Sequence, residues 1–211
     1  MSYSAPRIAI AAVVALGVSA LHAQHGLPPL QADIDTTYAT AGSNPFTVHG
    51  RYYRAQDGRV REDSPIGATI IDPAGGTVTL LNFATKEARV LSVPRPLQAA
   101  REVGRPQAFT RFGDATIEGH AVAKLRTKDA GGRDQELWNS DELGLTVYSR
   151  TQSTNLVITK SHHDFAFREP DPNLFQIPKD YKVEYMKMPA AASPRVPPLP
   201  SLPPIPPASR P

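Results

Sequence analysis

The 211-residue chain contains no cysteine. That excludes disulfides, thiolate metal ligands, a cysteine nucleophile and a cysteine-linked lipid anchor. If the protein is exported, its fold must hold by core packing alone, which a body of this length can do. Tryptophan occurs once, at Trp138. An excess of one charge is also missing. Lys and Arg number 23 against 20 Asp and Glu. Taking Arg7 away with an N-terminal leader leaves 22 basic residues, a net charge near +2. Arg195 and Arg210 sit in the C-terminal tail, so the central body is close to neutral. No basic patch calls for nucleic acid as a partner. There is no Gly-x-Ser-x-Gly elbow, phosphate loop or His-Glu-x-x-His helix. Gly75-Gly76 and Gly131-Gly132 read as turns, because no helix start follows either. No catalytic constellation emerges and no cofactor is implied.

Long apolar runs are scarce as well. The only one, Ile8–Val18, follows Arg7 and precedes the small residues of Ser19–Ala23. This is the pattern of a cleavable secretory signal, with Ala20 or Ala23 the last residue removed. The run falls short of the roughly 20 apolar residues of a membrane span, and an uncleaved anchor is the rival reading. Nothing further along would leave a stable span after cleavage, so a periplasmic or secreted location follows. At the other end, Pro189–Pro211 carries 10 prolines in 23 residues. Proline has no amide donor, so this tail cannot join a sheet or a helix interior. It reads as a solvated, semi-rigid coil, with a docking ligand or a wall-spanning spacer as the alternative. The expected organisation is a signal at 1–23, one folded domain at 24–188 and a disordered proline-rich tail at 189–211.

What the chain does have is alternation. Ile117, Gly119, Ala121, Ala123 and Leu125 share one parity, and Glu118, His120, Lys124 and Arg126 the other, which predicts one strand over Ile117–Thr127. Further strands follow at Gln135–Asn139, Leu143–Thr151 and Asn155–Ser161, with Tyr181–Met186 last. Within Leu143–Thr151, Leu143, Leu145 and Val147 share a parity. Upstream, strands are predicted at Ala32–Tyr38, Phe46–Ala55, Arg59–Asp63, Gly67–Asp72, Thr77–Phe83 and Ala88–Val93. Asp57-Gly58 reads as a tight two-residue hairpin turn. The charge on Arg59, Arg61, Glu62 and Asp63 suggests an exposed or edge position. Only Pro94–Gln107 interrupts the pattern, as a crossover with at most a short helix at Leu97–Val103. Glu169–Pro178 reads as a plug, in which Asp171 caps one turn begun by Pro172 and presses Leu174 and Phe175 onto the sheet. Strands at spacings of about ten residues argue for a mainly β protein, a strongly curved antiparallel half-barrel of about 8 to 11 strands with one or two short helices at most.

Several motifs, in this order, carry a resemblance. They are Gly50-Arg-Tyr-Tyr-Arg-x-x-Asp-Gly-Arg-Val-Arg61, Ile70-Ile-Asp72, Leu80-Leu-Asn82, Ile117-Glu-Gly-His120 and Trp138-x-x-x-x-Leu143-Gly-Leu145. Glu169 and Pro172-Asn-Leu-Phe175-x-x-Pro178-x-x-Tyr181 complete the series. From about Ala32 to Tyr185 the chain resembles the LolA/LolB-like half-barrels, the envelope proteins grouped with lipoprotein carriers. The resemblance implies a bent antiparallel sheet whose apolar concave face, in the carriers, holds acyl chains. Here Leu27-Pro-Pro-Leu30 runs almost directly into a strand where the carriers have an N-terminal helix, and few helices are available to cover the concavity.

The candidate ligand-binding residues on an apolar concave face are therefore Tyr52, Leu80, Leu125, Trp138, Leu145, Val147 and Phe175. The expected function is non-enzymatic binding of a lipid or acyl group. The alternative is an envelope protein-interaction module that uses the proline-rich tail or a sheet edge. His162-His163-Asp164 is the only cluster resembling metal ligands. Adjacent strand residues face opposite ways, so the two histidines would not share one ion, and only His49 and His120 are plausible additions. No metal site is expected.

Overall fold

A computed structural model describes residues 26–93, 109–128 and 132–187. The expected signal segment, the proline-rich tail and the possible helix at Leu97–Val103 lie outside these residues. The described residues form one sheet of twelve strands, open at both edges, with a single turn of 3-10 helix at Pro172–Phe175.

The strands are β1 (Leu30–Thr40), β2 (Phe46–Arg54), β3 (Val60–Ser64), β4 (Gly67–Asp72), β5 (Thr77–Asn82), β6 (Glu87–Ser92), β7 (Thr110–Ile117), β8 (His120–Lys128), β9 (Asp134–Ser140), β10 (Leu145–Gln152), β11 (Leu156–Ala166) and β12 (Lys182–Lys187). Their order across the sheet is β12-β6-β5-β4-β3-β2-β1-β11-β10-β9-β8-β7. Two meanders, β1 to β6 and β7 to β11, meet where β1 pairs with β11. Every pairing is antiparallel except β12 with β6, which is parallel. After β11 the chain crosses to the far edge before entering β12, and a parallel neighbour requires a crossover of that kind.

Three sequence expectations are corrected. The predicted strand Ile117–Thr127 is the end of one strand and most of another. Glu118 (φ 48°) and Gly119 (φ 87°) form a two-residue turn that pairs Ile117 with His120. Two successive positive φ values are the signature of a tight hairpin turn. Glu is an unusual residue at the first of those positions, and its carboxylate accepts hydrogen bonds from the backbone N–H groups of Asp164 (3.1 Å) and Phe165 (3.4 Å). Second, the Asp57-Gly58 hairpin is not a two-residue turn. Only Gly58 has positive φ, and the loop closes through Gly58 N–H to the Ala55 carbonyl (3.0 Å) and Ala55 N–H to the Arg59 carbonyl (2.9 Å).

Third, charged β3 is not an edge but lies between β2 and β4. Its charges are paired. Arg61 Nε lies 2.5 Å from Asp63 Oδ1, its Nη1 donates to the Leu174 carbonyl (2.5 Å), and Lys160 Nζ donates to Glu62 Oε2 (2.7 Å). The closing plug forms as the sequence suggests. Asp171 Oδ1 accepts from Asn173 N–H (2.9 Å), and Pro172 opens the turn.

Which face is concave follows from contacts between strands that are not neighbours. Glu62 and Lys160 lie on strands three places apart, about 14 Å on a flat sheet at ~4.8 Å per strand. Their head groups nevertheless meet at 2.7 Å. The His120 ring on β8 reaches the Phe165 ring on β11 at 5.6 Å. The sheet therefore curls toward the face that carries Ile34, Tyr52, Glu62, Lys160 and His162. That concave face holds the larger core, Leu30, Ala32, Ile34, Tyr52, Val60, Val122, Leu143, Leu145 and Val147. The convex face holds a second core of Tyr53, Ala55, Ala68, Ile70, Leu81 and Ala88, capped by Phe175.

Candidate functional site

The middle of the trough is closed by its own side chains. Arg54, directly opposite Leu30 on β1, is wholly buried (0% exposed). Its guanidinium donates to the Pro28 carbonyl through Nε (3.2 Å) and Nη2 (3.0 Å), and to the Leu143 carbonyl through Nη1 (2.7 Å). A buried charge is tolerable when its donors are paired, and these bonds tie the lead-in to β1 and the β9–β10 turn to β2. Leu27 also packs against Gly144 in that turn, where φ is +55° and a Cβ would collide with the leucine side chain.

A second buried polar group lies inside the apolar lining. His162 is 5% exposed, stands edge-on to Tyr52 (ring centroids 5.6 Å apart), and neither ring nitrogen has a hydrogen-bond partner. Burial, and then the neighbouring Lys160 ammonium, push its pKa down to about 4, so it is neutral near pH 7. Burial also raises the Tyr52 phenol to about 12. For Glu62 burial works against the carboxylate, but the Lys160 ammonium outweighs it and the pKa falls below the usual carboxylate value. The concave centre thus carries one ion pair, a neutral imidazole and a neutral phenol.

Toward the β12 edge the lining changes. Val60, Ile71, Val78, Leu91 and Met186 are direct partners across five adjacent strands, β3, β4, β5, β6 and β12. Directly opposed residues share a face, so the five side chains make one apolar row on the concave side. It grades from buried Val60 through half-buried Ile71, Val78 and Leu91 to Met186, 42% exposed. Leu80, half-buried in the next row between Thr69 and Arg89, widens it. Four strand spacings make the row about 19 Å long. Among the described residues, no element packs over Val78 and Leu91 as the plug packs over the convex core.

The seven residues singled out by sequence do not form one site. Tyr52, Leu145 and Val147 are in the closed concave core. Leu80 lies beside the open row. Trp138 is half-buried at the margin of the core, 4.6 Å from the Tyr148 ring, with Lys124 Nζ 4.3 Å from its own ring and its Nε1 donating to Glu136 (2.8 Å). Leu125 pairs with Leu137 while its neighbour Lys124 pairs with Trp138, so Leu125 and Trp138 occupy opposite faces. Phe175 is corrected outright, because it caps the convex core with the Arg59 guanidinium 4.9 Å from its ring. The row residues Ile71, Val78, Leu91 and Met186 escape sequence reasoning. Only cross-strand register groups them, and the parallel β12 contact that adds Met186 leaves no local signal.

No family model matches the sequence, and no curated protein does. Solved structures do match in shape. An uncharacterized conserved protein from Thermus thermophilus superposes with a TM-score of 0.55 at 13% identity, covering 77% of this chain and 93% of that one. It shares with that structure the architecture of a curved, open β sheet. A LolA superfamily protein from Nitrosomonas europaea gives 0.37 at 9% identity, over 72% of this chain and 91% of its own. MucB in complex with MucA from Pseudomonas aeruginosa gives 0.47 at 14% identity over 74% of this chain, which spans 58% of that protein. At these identities the half-barrel likeness is one of architecture alone. No helix among the described residues is long and apolar enough to cross a membrane.

Proposed function

We propose that this protein is an exported, non-enzymatic binding protein whose concave face holds a lipid or acyl chain along the Val60–Met186 row. The observation that carries the reading is the row itself, five cross-strand apolar partners that pass from core to solvent on the inner face of an open sheet. Each methylene buried there contributes roughly 0.8 kcal/mol before ordering costs. Tyr52, Leu145, Val147 and Arg54 form the rigid wall at one end. The secretory pattern at 1–23 supports export. Native mass spectrometry and lipid extraction of protein purified without detergent test this reading. Co-purifying lipid, displaced by an added fatty acid, supports it. Lipid-free protein that binds no acyl probe refutes it.

The rival is an envelope protein partner. One observation favours it: edge strand β12 presents Tyr185, 79% exposed, with Val183 beside it. A partner lost on deleting 189–211, with no lipid bound, would favour that reading.

A further inference from the structure

Beside the apolar row, the same concave face carries charges that the acyl-chain reading leaves unused. Arg89 on β6 is two residues from Leu91, so both side chains fall on one face. It is directly opposite Leu80 on β5 and Glu184 on β12. Its side chain is more than half exposed, and Nε lies 3.6 Å from Glu184 Oε2, too far for a good hydrogen bond. Among the described residues the Arg89 guanidinium donates no hydrogen bond, whereas Arg54 and Arg61 donate theirs to backbone carbonyls. Two residues from Arg89, Glu87 on β6 is opposite Lys182 on β12. Arg89, Glu184, Glu87 and Lys182 are the charged groups on the concave side of these two strands.

Position along the row gives this cation a task. The row is dry at Val60 and wet at Met186. An amphiphile lying along it buries its hydrocarbon end toward Val60 and keeps its polar head at the wet end, because a polar head buried without partners is costly. The dry end is also closed to a head group, since Tyr52 is buried there and Lys160 is paired with Glu62. Arg89 stands at the wet end, three strand spacings from β3, or about 14 Å on a flat sheet. Its contact with Glu184 joins two exposed groups, and such pairs contribute little that a second anion must overcome. A guanidinium presents a planar fork of donors that matches a carboxylate through two parallel hydrogen bonds. The flanking acids then select the charge of the head. Glu184 and Glu87 repel a phosphate monoester, which carries about −1.5 to −2 at pH 7, more than they repel a singly charged carboxylate.

We propose that the ligand is a free fatty acid, its chain along the Val60–Met186 row and its carboxylate held by the Arg89 guanidinium. This rests on the acyl-chain reading of the row and adds the chemistry of the head. Acyl groups tied up as esters or amides lack the anion and bind less tightly. The test is calorimetric titration of the delipidated full chain with decanoate, decanol and decyl phosphate, each below its micelle concentration. Decanoate should bind at least tenfold more tightly than the other two. Arg89→Gln should weaken decanoate binding at least tenfold and close the gap to decanol. Arg89→Lys should recover part of that loss, and Glu184→Gln, which removes the competing carboxylate, should tighten decanoate binding. Lys187→Gln should change none of these, because Lys187 follows Met186 on β12 and faces the other way. Circular dichroism checks that these exposed variants fold. Decanol binding the wild type as tightly as decanoate, or Arg89→Gln keeping the preference, would overturn the carboxylate clamp and leave the acyl-chain reading standing. Tighter binding of decyl phosphate would overturn the fatty-acid assignment in favour of a phosphate head. Binding of none of the three would overturn both readings.

Discussion

Acidification tests the buried imidazole at the centre of the trough. His162 is held to a pKa of about 4 in the fold, against 6.5 in a free chain. Its neutral form is the one the fold accepts. As pH falls below 6.5 the unfolded chain takes up a proton that the folded one refuses, so stability falls with pH until both forms are protonated below about 4. At 1.36 kcal/mol per pKa unit the full effect is about 3 kcal/mol, of which roughly 2 has been lost by pH 5. For a domain of this size that is about 4–8 °C in Tm. Urea titrations at pH 7, 6, 5 and 4.5 would read it directly. His162→Leu cannot take up the proton in either state, so its stability should fall markedly less over this window, whatever its value at pH 7. Glu62 also loses stability on acidification, but below 4.5, because its folded pKa is the lower one. His163 acts with the opposite sign. Its pKa is raised, first by the Asp164 bond, so its contribution is present below 6.5 and lost as pH rises through the folded value. Parallel pH profiles for wild type and His162→Leu would refute the assignment of a neutral, buried His162.

Other perturbations separate the structural parts. Arg54→Met leaves the Pro28 and Leu143 carbonyls without their buried donors and should cost about 3–5 kcal/mol, read by urea unfolding. Phe175→Ala uncaps the convex core and should cost about 3–5 kcal/mol. It should leave acyl-probe affinity of the still-folded fraction unchanged, because Phe175 lies on the other face. Gly50→Ala would drive a Cβ into the Asp63 carbonyl across β2 and β3 and should lower Tm by several degrees, measured by calorimetry.

Much of the fold is legible in local pattern. Alternation marks most strands, Asp171-Pro172 marks the plug, and the opposite facing of His162 and His163 follows from strand geometry alone. What local pattern misses is pairing at a distance. Arg61 and Glu62 look like an edge because their partners, the Leu174 carbonyl and Lys160, lie far off in the chain. Glu118-Gly119 looks like strand because its alternation runs on unbroken and Glu is a poor turn signal. The same blindness affects the site. Tyr52, Leu145 and Val147 stand out for being apolar and inward, and those qualities bury them in the core. The open row of Val60, Ile71, Val78, Leu91 and Met186 needs the register of five strands, including a parallel partner nearly a hundred residues away.

The open row is tested most directly by acyl-probe binding to delipidated protein, comparing wild type with Leu91→Asp and Val78→Asp. The prediction is saturable one-site binding by wild type and at least a tenfold loss in each variant, with circular dichroism and Tm showing that both remain folded. Equal binding by all three folded proteins, or none by wild type, would contradict the claim that this row holds the ligand.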